Sequence, residues 1–161
     1  MNAIRRLSRQ RGQSLAEFAI SLVILMILLA GLVDASRALF TFMALRDAAQ
    51  EGAIYGSTTP WDEAGIIRRA RESSTMVEGI MGAPCSYPAS ECPAIEVVFT
   101  DATSPATPLV NCQGDGVLVR VRYPHFPITM PFLGALIGKQ DVPITATITD
   151  TVLRPLCPSS P

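Results

Sequence analysis

From Phe18 to Val33, between Glu17 and Asp34, the chain carries no charged residue, and Ile, Leu, Val and Met make up most of the run. Counted from Ser14 to Val33, such a segment forms about 30 Å of helix at 1.5 Å per residue, the hydrocarbon thickness of a bilayer. The sequence predicts a single membrane span here. Arg5, Arg6, Arg9 and Arg11 precede it with no acid among residues 1–12, and such a basic flank stays in the cytoplasm, so the rest of the chain is expected outside it. A buried core helix would not need this charge asymmetry. Only 17% of the 161 residues are charged, against roughly 25% in soluble domains, which agrees with contact with lipid. Beyond the leader nine basic residues face fourteen acidic ones, so no basic surface is available and no nucleic acid is expected as a partner.

Helical periodicity does not stop where the lipid would. Leu39, Phe42, Leu45, Ala49 and Ala53 recur at three- and four-residue steps, with Arg46, Asp47, Gln50 and Glu51 between them, the pattern of an amphipathic helix whose stripe needs a partner. Gly52 and Gly56, followed by Ser57, Thr58, Thr59 and Pro60, predict its C-terminal stop. Gly31 and Ala35, four residues apart, would allow close helix approach. None of the thirteen prolines precedes Pro60, so an unbroken first helix gives way to a turn-rich remainder.

Glu17 stands where the lipid segment begins. A carboxylate deep in hydrocarbon costs on the order of 3 kcal/mol, whereas one near the headgroups at a helix N-terminus costs little. Its surroundings favour a use for it. Arg11-Gly12-Gln13-Ser14-Leu15-Ala16-Glu17-Phe18 resembles the class III signal of type IV pilins and pseudopilins. There a prepilin peptidase cuts after the glycine on the cytoplasmic side, and the acid becomes the fifth residue of the mature chain. The resemblance implies a cut between Gly12 and Gln13, with the freed ammonium of Gln13 neutralised by Glu17 of a neighbouring subunit. Such a pair sets register more than stability, because desolvation offsets its attraction while an unpaired charge penalises misplacement.

The continuation, with Gly31-Leu32-Val33-Asp34, Arg37, Leu45-Arg46-Asp47-Ala48-Ala49 and Glu51-Gly52-Ala53-Ile54-Tyr55, is similar to the TadE-like family, pseudopilins or minor pilins of the tight-adherence (Flp, type IVc) pilus system. The likeness covers about residues 11–56. A weaker one runs through Val117–Pro124, Pro127–Gly138 and Ile144–Thr151. Major Flp pilins are much shorter and usually carry Glu-Tyr where this chain has Glu17-Phe18. The resemblance implies assembly by helix packing, with Phe18, Gly31, Ala35, Leu39, Phe42 and Leu45 as contact residues. Prepilin peptidase, other pilins and pseudopilins, the pilus assembly platform and the membrane are the implied partners, and the inner membrane or the pilus at the cell surface is the implied location.

Three segments are therefore expected: a cleaved leader at 1–12, a long pilin-like helix at 13–56 spanning the membrane at about 14–33, and an extracytoplasmic α+β domain at 57–161. Within the last, one helix is predicted from Trp61 or Asp62 to about Met81, with Ile66, Ile67, Ala70, Met76 and Val77 inward and Arg68, Arg69 and Arg71 on a solvated face. Ile95–Thr100, Val117–Tyr123 and Ile144–Val152 read as strands, and Gly114-Asp115-Gly116 as a turn. Thr145, Thr147, Thr149 and Thr151 give the last strand a polar side. An antiparallel sheet packed on the helix is the expected architecture.

The four cysteines lie on the side expected outside the cytoplasm, where thiols oxidise. Of the three connectivities four cysteines allow, Cys85 with Cys92 and Cys112 with Cys157 is favoured, though spacing alone does not decide it. Their gaps and the lone His125 do not suit zinc, and Asn111 with Asp115 reads as turn chemistry rather than a cation site. No metal and no cofactor is expected. The chain shows no nucleophile elbow, phosphate loop or zinc-protease helix, so no catalytic residues are assigned. The alternative is a secreted or membrane-anchored surface binding protein. Val33-Asp34-Ala35 would then be the cleavage pattern of an ordinary signal peptide cut before Ser36, or the helix would remain as an uncleaved anchor.

Overall fold

The computed structural model describes residues 2–100, 114–130, 134–135 and 138–153, with side chains from Gln13 onward. Helix α1 runs from Asn2 to Thr58. Helices α2 (Glu63–Arg71) and α3 (Thr75–Gly82) follow, and then strands β1 (Ala94–Thr100), β2 (Gly116–Pro127) and β3 (Asp141–Thr151). The strands form one antiparallel sheet in the order β1-β2-β3, as the sequence predicts, but the sheet packs chiefly on the outer half of α1 rather than on the helix expected after Pro60.

The core lies between that half of α1, the sheet and α2. Leu45, Ala48, Ala49 and Ala53 meet Val117, Val119, Val121 and Ala146, with Ile66 and Val77 closing the side. Small residues let the helix lie close to the sheet. A Cβ at Gly52 would come within 3.2 Å of Ala70 and Val119, and one at Gly56 within 2.9 Å of Val117 and 3.0 Å of Ile66. These glycines, expected to stop the helix, sit inside it and admit its neighbours. The stop comes after them, where the hydroxyls of Thr58 and Thr59 and the Thr59 N–H donate to the Tyr55 carbonyl and Pro60 cannot extend the ladder.

The sheet has two distinct faces, set by the period-two alternation of strands. Val97, Val119 and Ile148 align across the three strands on the core side. On the other side Glu96 bridges Arg120 at 3.6 Å and Arg122 at 3.1 Å, and Thr145, Thr147, Thr149 and Thr151 are exposed. Strand β2 continues past Tyr123 through an irregularity between Tyr123 and Phe126, reaching Pro127 and drawing the start of β3 back to Asp141.

The predicted second helix is two. Ser74 breaks it: its side chain accepts from the Val77 N–H at 3.3 Å and caps α3, an alternative to helix that serine offers readily. The break turns Met76 outward, contrary to expectation, while Ile66, Ala70 and Val77 are buried as predicted. Asp62 caps α2, accepting from the Gly65 N–H at 2.9 Å and the Tyr55 hydroxyl at 2.9 Å. After β3 the chain returns to α1, with the Leu153 N–H on the Ser57 carbonyl at 2.7 Å.

Candidate functional site

Among the described residues, nothing covers the inner half of α1. From Gln13 to Ala30 every residue is exposed, and the most apolar 18-residue window has a mean hydropathy of 2.6 with none of it buried. An apolar helix without a covering layer is suited to lipid or to other helices rather than to water. At its inner end the Gln13 side-chain amide donates to the Glu17 carboxylate at 3.4 Å, so one helical turn brings these two residues onto the same face. Phe18 lies beside them, exposed.

Further out the remaining expected contact residues separate. Gly31 is half-buried and Ala35 exposed, Leu39 and Phe42 are 56% and 40% exposed, and Leu45 is fully buried in the domain core. The stripe that sequence periodicity traces as one line thus divides, because the sheet begins to cover α1 only at Thr41 and Leu45. Up to that point the apolar residues remain available to partners.

The boundary between the two halves is built on Asp34, which the sequence shows only as the end of the apolar run. Its carboxylate accepts from the Met130 N–H at 2.7 Å and lies 3.5 Å from Arg37, whose guanidinium also bonds the Thr129 hydroxyl. Burial pushes the Asp34 carboxyl up, but the hydrogen bonds from Met130 and Thr129 and the nearby Arg37 outweigh it, and the net displacement is downward. No local pattern could reveal this latch, since its halves stand 96 positions apart.

Cys85 and Cys92 form a disulfide with Cα atoms 5.9 Å apart. Cys112 and Cys157 lie outside the described residues. The loop stapled by the disulfide carries Tyr87, which stacks on His125 with ring centroids 3.8 Å apart. His125 also contacts Asp141, and lies 3.7 Å from Glu91, so the histidine ties the stapled loop to both β2 and β3. An open cavity of about 600 Å³ adjoins it, bordered by Met76, Ile80, Tyr87 and Tyr123. Among the described residues no group of three His, Cys, Asp or Glu side chains is placed to hold a metal. Arg68, Arg69 and Arg71 are all exposed, as expected, with Arg69 lying 5.8 Å from the Tyr55 ring.

A long apolar helix passing directly into a small α+β head fits a single-pass membrane anchor. The model of a family described as TadE-like protein matches residues 12–53, within the stretch of about 11–56 that carries the resemblance. That match supports involvement in the Tad pilus system, whose TadE-like members are in general structural rather than enzymatic proteins. No curated protein and no solved structure matches the chain.

Proposed function

We propose that this chain is a TadE-like pseudopilin or minor pilin, inserted through α1, trimmed by a prepilin peptidase between Gly12 and Gln13, and assembled by lateral packing of α1 during tight-adherence pilus biogenesis. The observation that carries the reading is the coincidence of the family match with a bare helix: the TadE-like segment, 12–53, contains the whole uncovered apolar stretch. In the assembled state the ammonium of Gln13 pairs with Glu17 of a neighbour, and Phe18, Gly31, Ala35, Leu39 and Phe42 pack against other pilin helices and the assembly platform. The domain from residue 57 stands outside the cytoplasmic membrane.

The ordinary signal-peptide alternative fares worse. A cut before Ser36 would remove Asp34, the carboxylate that holds Met130, and would sever a helix that runs on into the core. The deciding measurement is the mature N-terminus, by mass spectrometry of the membrane and pilus fractions from cells that hold the cognate prepilin peptidase. A start at Gln13 is expected, and Gly12→Ile is expected to abolish it. A start at Ser36, or an intact Met1, overturns the proposed processing.

A further inference from the structure

The segment between α3 and β1 is held to the rest of the domain through one ring. Cys85 and Cys92 staple it, and inside the staple Tyr87 lies flat on His125, with centroids 3.8 Å apart and planes 14° from parallel. His125 is the only histidine of the chain. Its Nδ1 contacts the Asp141 carboxylate at the start of β3, and its Nε2 lies 3.7 Å from the Glu91 carboxylate, inside the staple. Nε2 is buried and makes no hydrogen bond among the described residues.

The two protonation states of the ring use these contacts differently. A neutral imidazole holds one proton, and the Asp141 carboxylate places it on Nδ1. Nε2 then turns a lone pair toward Glu91, which has only acceptors to offer in return. A proton taken from solvent puts an N–H on Nε2, aimed at that carboxylate. Closing the gap from 3.7 Å to about 2.8 Å makes a charge-assisted hydrogen bond, and the stack on Tyr87 becomes a cation on an aromatic face. The surroundings do not compete for the ring. Tyr123 is the one further titratable side chain on the adjoining cavity, where α3 contributes the uncharged Met76 and Ile80. Arg37 of α1 lies over Phe126 and is engaged by Asp34 and Thr129, and Lys139, two residues before Asp141, is exposed.

We propose that His125 is a proton-operated clasp on the stapled segment. Protonated, it joins Glu91 of the segment to Asp141 of β3; neutral, it keeps Asp141 and releases Glu91, and the segment loosens. Because Pro84, Tyr87 and Pro93 wall the cavity of about 600 Å³ beside His125, release widens the mouth of that cavity. Histidine changes its charge between about pH 5 and 8, so the segment is held firmly in mildly acidic surroundings and loosely in alkaline ones. The clasp lies wholly within the folded domain and does not depend on the pilin reading.

The test uses the full chain in detergent micelles. Within the segment the Glu91 and Cys92 N–H groups donate to the Pro88 and Ala89 carbonyls, and their hydrogen exchange, divided by the intrinsic rate at each pH, reports how firmly the segment is held. Glu91 is 56% exposed, so the gain is that of a surface ion pair, and protection is expected to fall about fivefold from about pH 5.5 to about pH 8. His125→Gln is expected to abolish that fall and to stay at the parent's alkaline level. Glu91→Gln is expected to do the same, and it carries the test if His125→Gln does not fold, as judged by circular dichroism. Nitrogen-15 shifts of the single imidazole show which nitrogen holds the proton at the alkaline end. Protection in the parent that is constant with pH overturns the clasp, as does an undiminished fall in Glu91→Gln. A neutral ring protonated on Nε2 also overturns it, since that ring would donate to Glu91 with no added proton.

Discussion

The Met130 N–H and the Asp34 carboxylate meet at 2.7 Å across 96 positions of sequence, joining the last strand connection to the helix at the point where its apolar run ends. Residues on either side of this bond face different surroundings. From Gln13 to Ala30 the helix is exposed among the described residues, and from Thr41 outward one face is covered by the sheet. Asp34 thus marks the boundary between an exposed apolar helix and a domain that folds on itself.

Acid stability is expected to report on Asp34 and Asp62. At Asp62 the Gly65 N–H and the Tyr55 hydroxyl lower the carboxyl from its ordinary 3.8, against a smaller rise from burial. At Asp34 the net direction is the same. A carboxylate lowered by folding contributes stability that is fully present above its unfolded value and is lost as pH falls through the folded one. Asp62→Asn and Asp34→Asn are therefore less stable than the parent at pH 7, and the difference shrinks as pH falls below 3.8 and through the lowered folded value, as measured by chemical unfolding across the pH range. An offset that stays constant down to the lowest pH contradicts the assignment.

Two glycine substitutions are expected to act in opposite directions. In Gly56→Ala the new methyl meets Val117 and Ile66 at 3.0 Å or less; overpacking costs about 1–3 kcal/mol, more than the gain of about 1 kcal/mol in helix propensity. In Gly79→Ala, mid-way along α3, the methyl enters open space, and the propensity gain of about 0.5–1 kcal/mol stands alone. Thermal unfolding in detergent should lower Tm for the first and raise it for the second.

Removing the Cys85–Cys92 bond frees a short loop. Loop-closure entropy for a sequence separation of 7 corresponds to a loss of about 2 kcal/mol in the Cys85→Ser, Cys92→Ser double variant. Because Tyr87 lies inside the loop and stacks on His125, protease cleavage between residues 83 and 93 is expected to accelerate. Equal cleavage rates in parent and variant would show that stacking, not the covalent bond, holds the segment.

Glu17→Ala is expected to leave membrane insertion unchanged and to deplete the chain from sheared pili. Leaving a buried charge without its partner costs about 3 kcal/mol or more, a loss of roughly a hundredfold in incorporation. Immunoblots of the membrane and pilus fractions read the two quantities separately. Normal incorporation would sink the proposed pairing with the Gln13 ammonium.

Much of this architecture is legible in the sequence because it rests on local periodicity. The charge-free run from Phe18 to Val33, the alternating threonines of β3 and the β-branched runs of β1 and β2 each report their own environment. The spacing of Cys85 and Cys92 needs only a short loop. What escapes such reading depends on competition or distance. Ser74 has to choose between continuing a helix and capping a new one, and capping wins. Gly52 and Gly56 look like punctuation until Val117, Val119 and Ile66 approach them from remote segments. Leu39 and Leu45 share one periodic stripe, but where the sheet ends decides which of them is covered. The Asp34 latch combines an ordinary carboxylate with a backbone N–H, which has no side-chain signature at all.

The absence of a joint between the apolar half of α1 and its core half has a mechanical consequence. The helix that would lie in lipid continues unbroken through Asp34 to Leu45 and Ala53, and the sheet is packed directly on it. Torque or axial force applied to the buried end is therefore delivered to the strands without slack: turning the helix by one residue swings the whole head by about 100°, and raising it by one residue lifts the head by about 1.5 Å. The head is a handle on a rigid shaft, and its heading reports the angular position of the helix below.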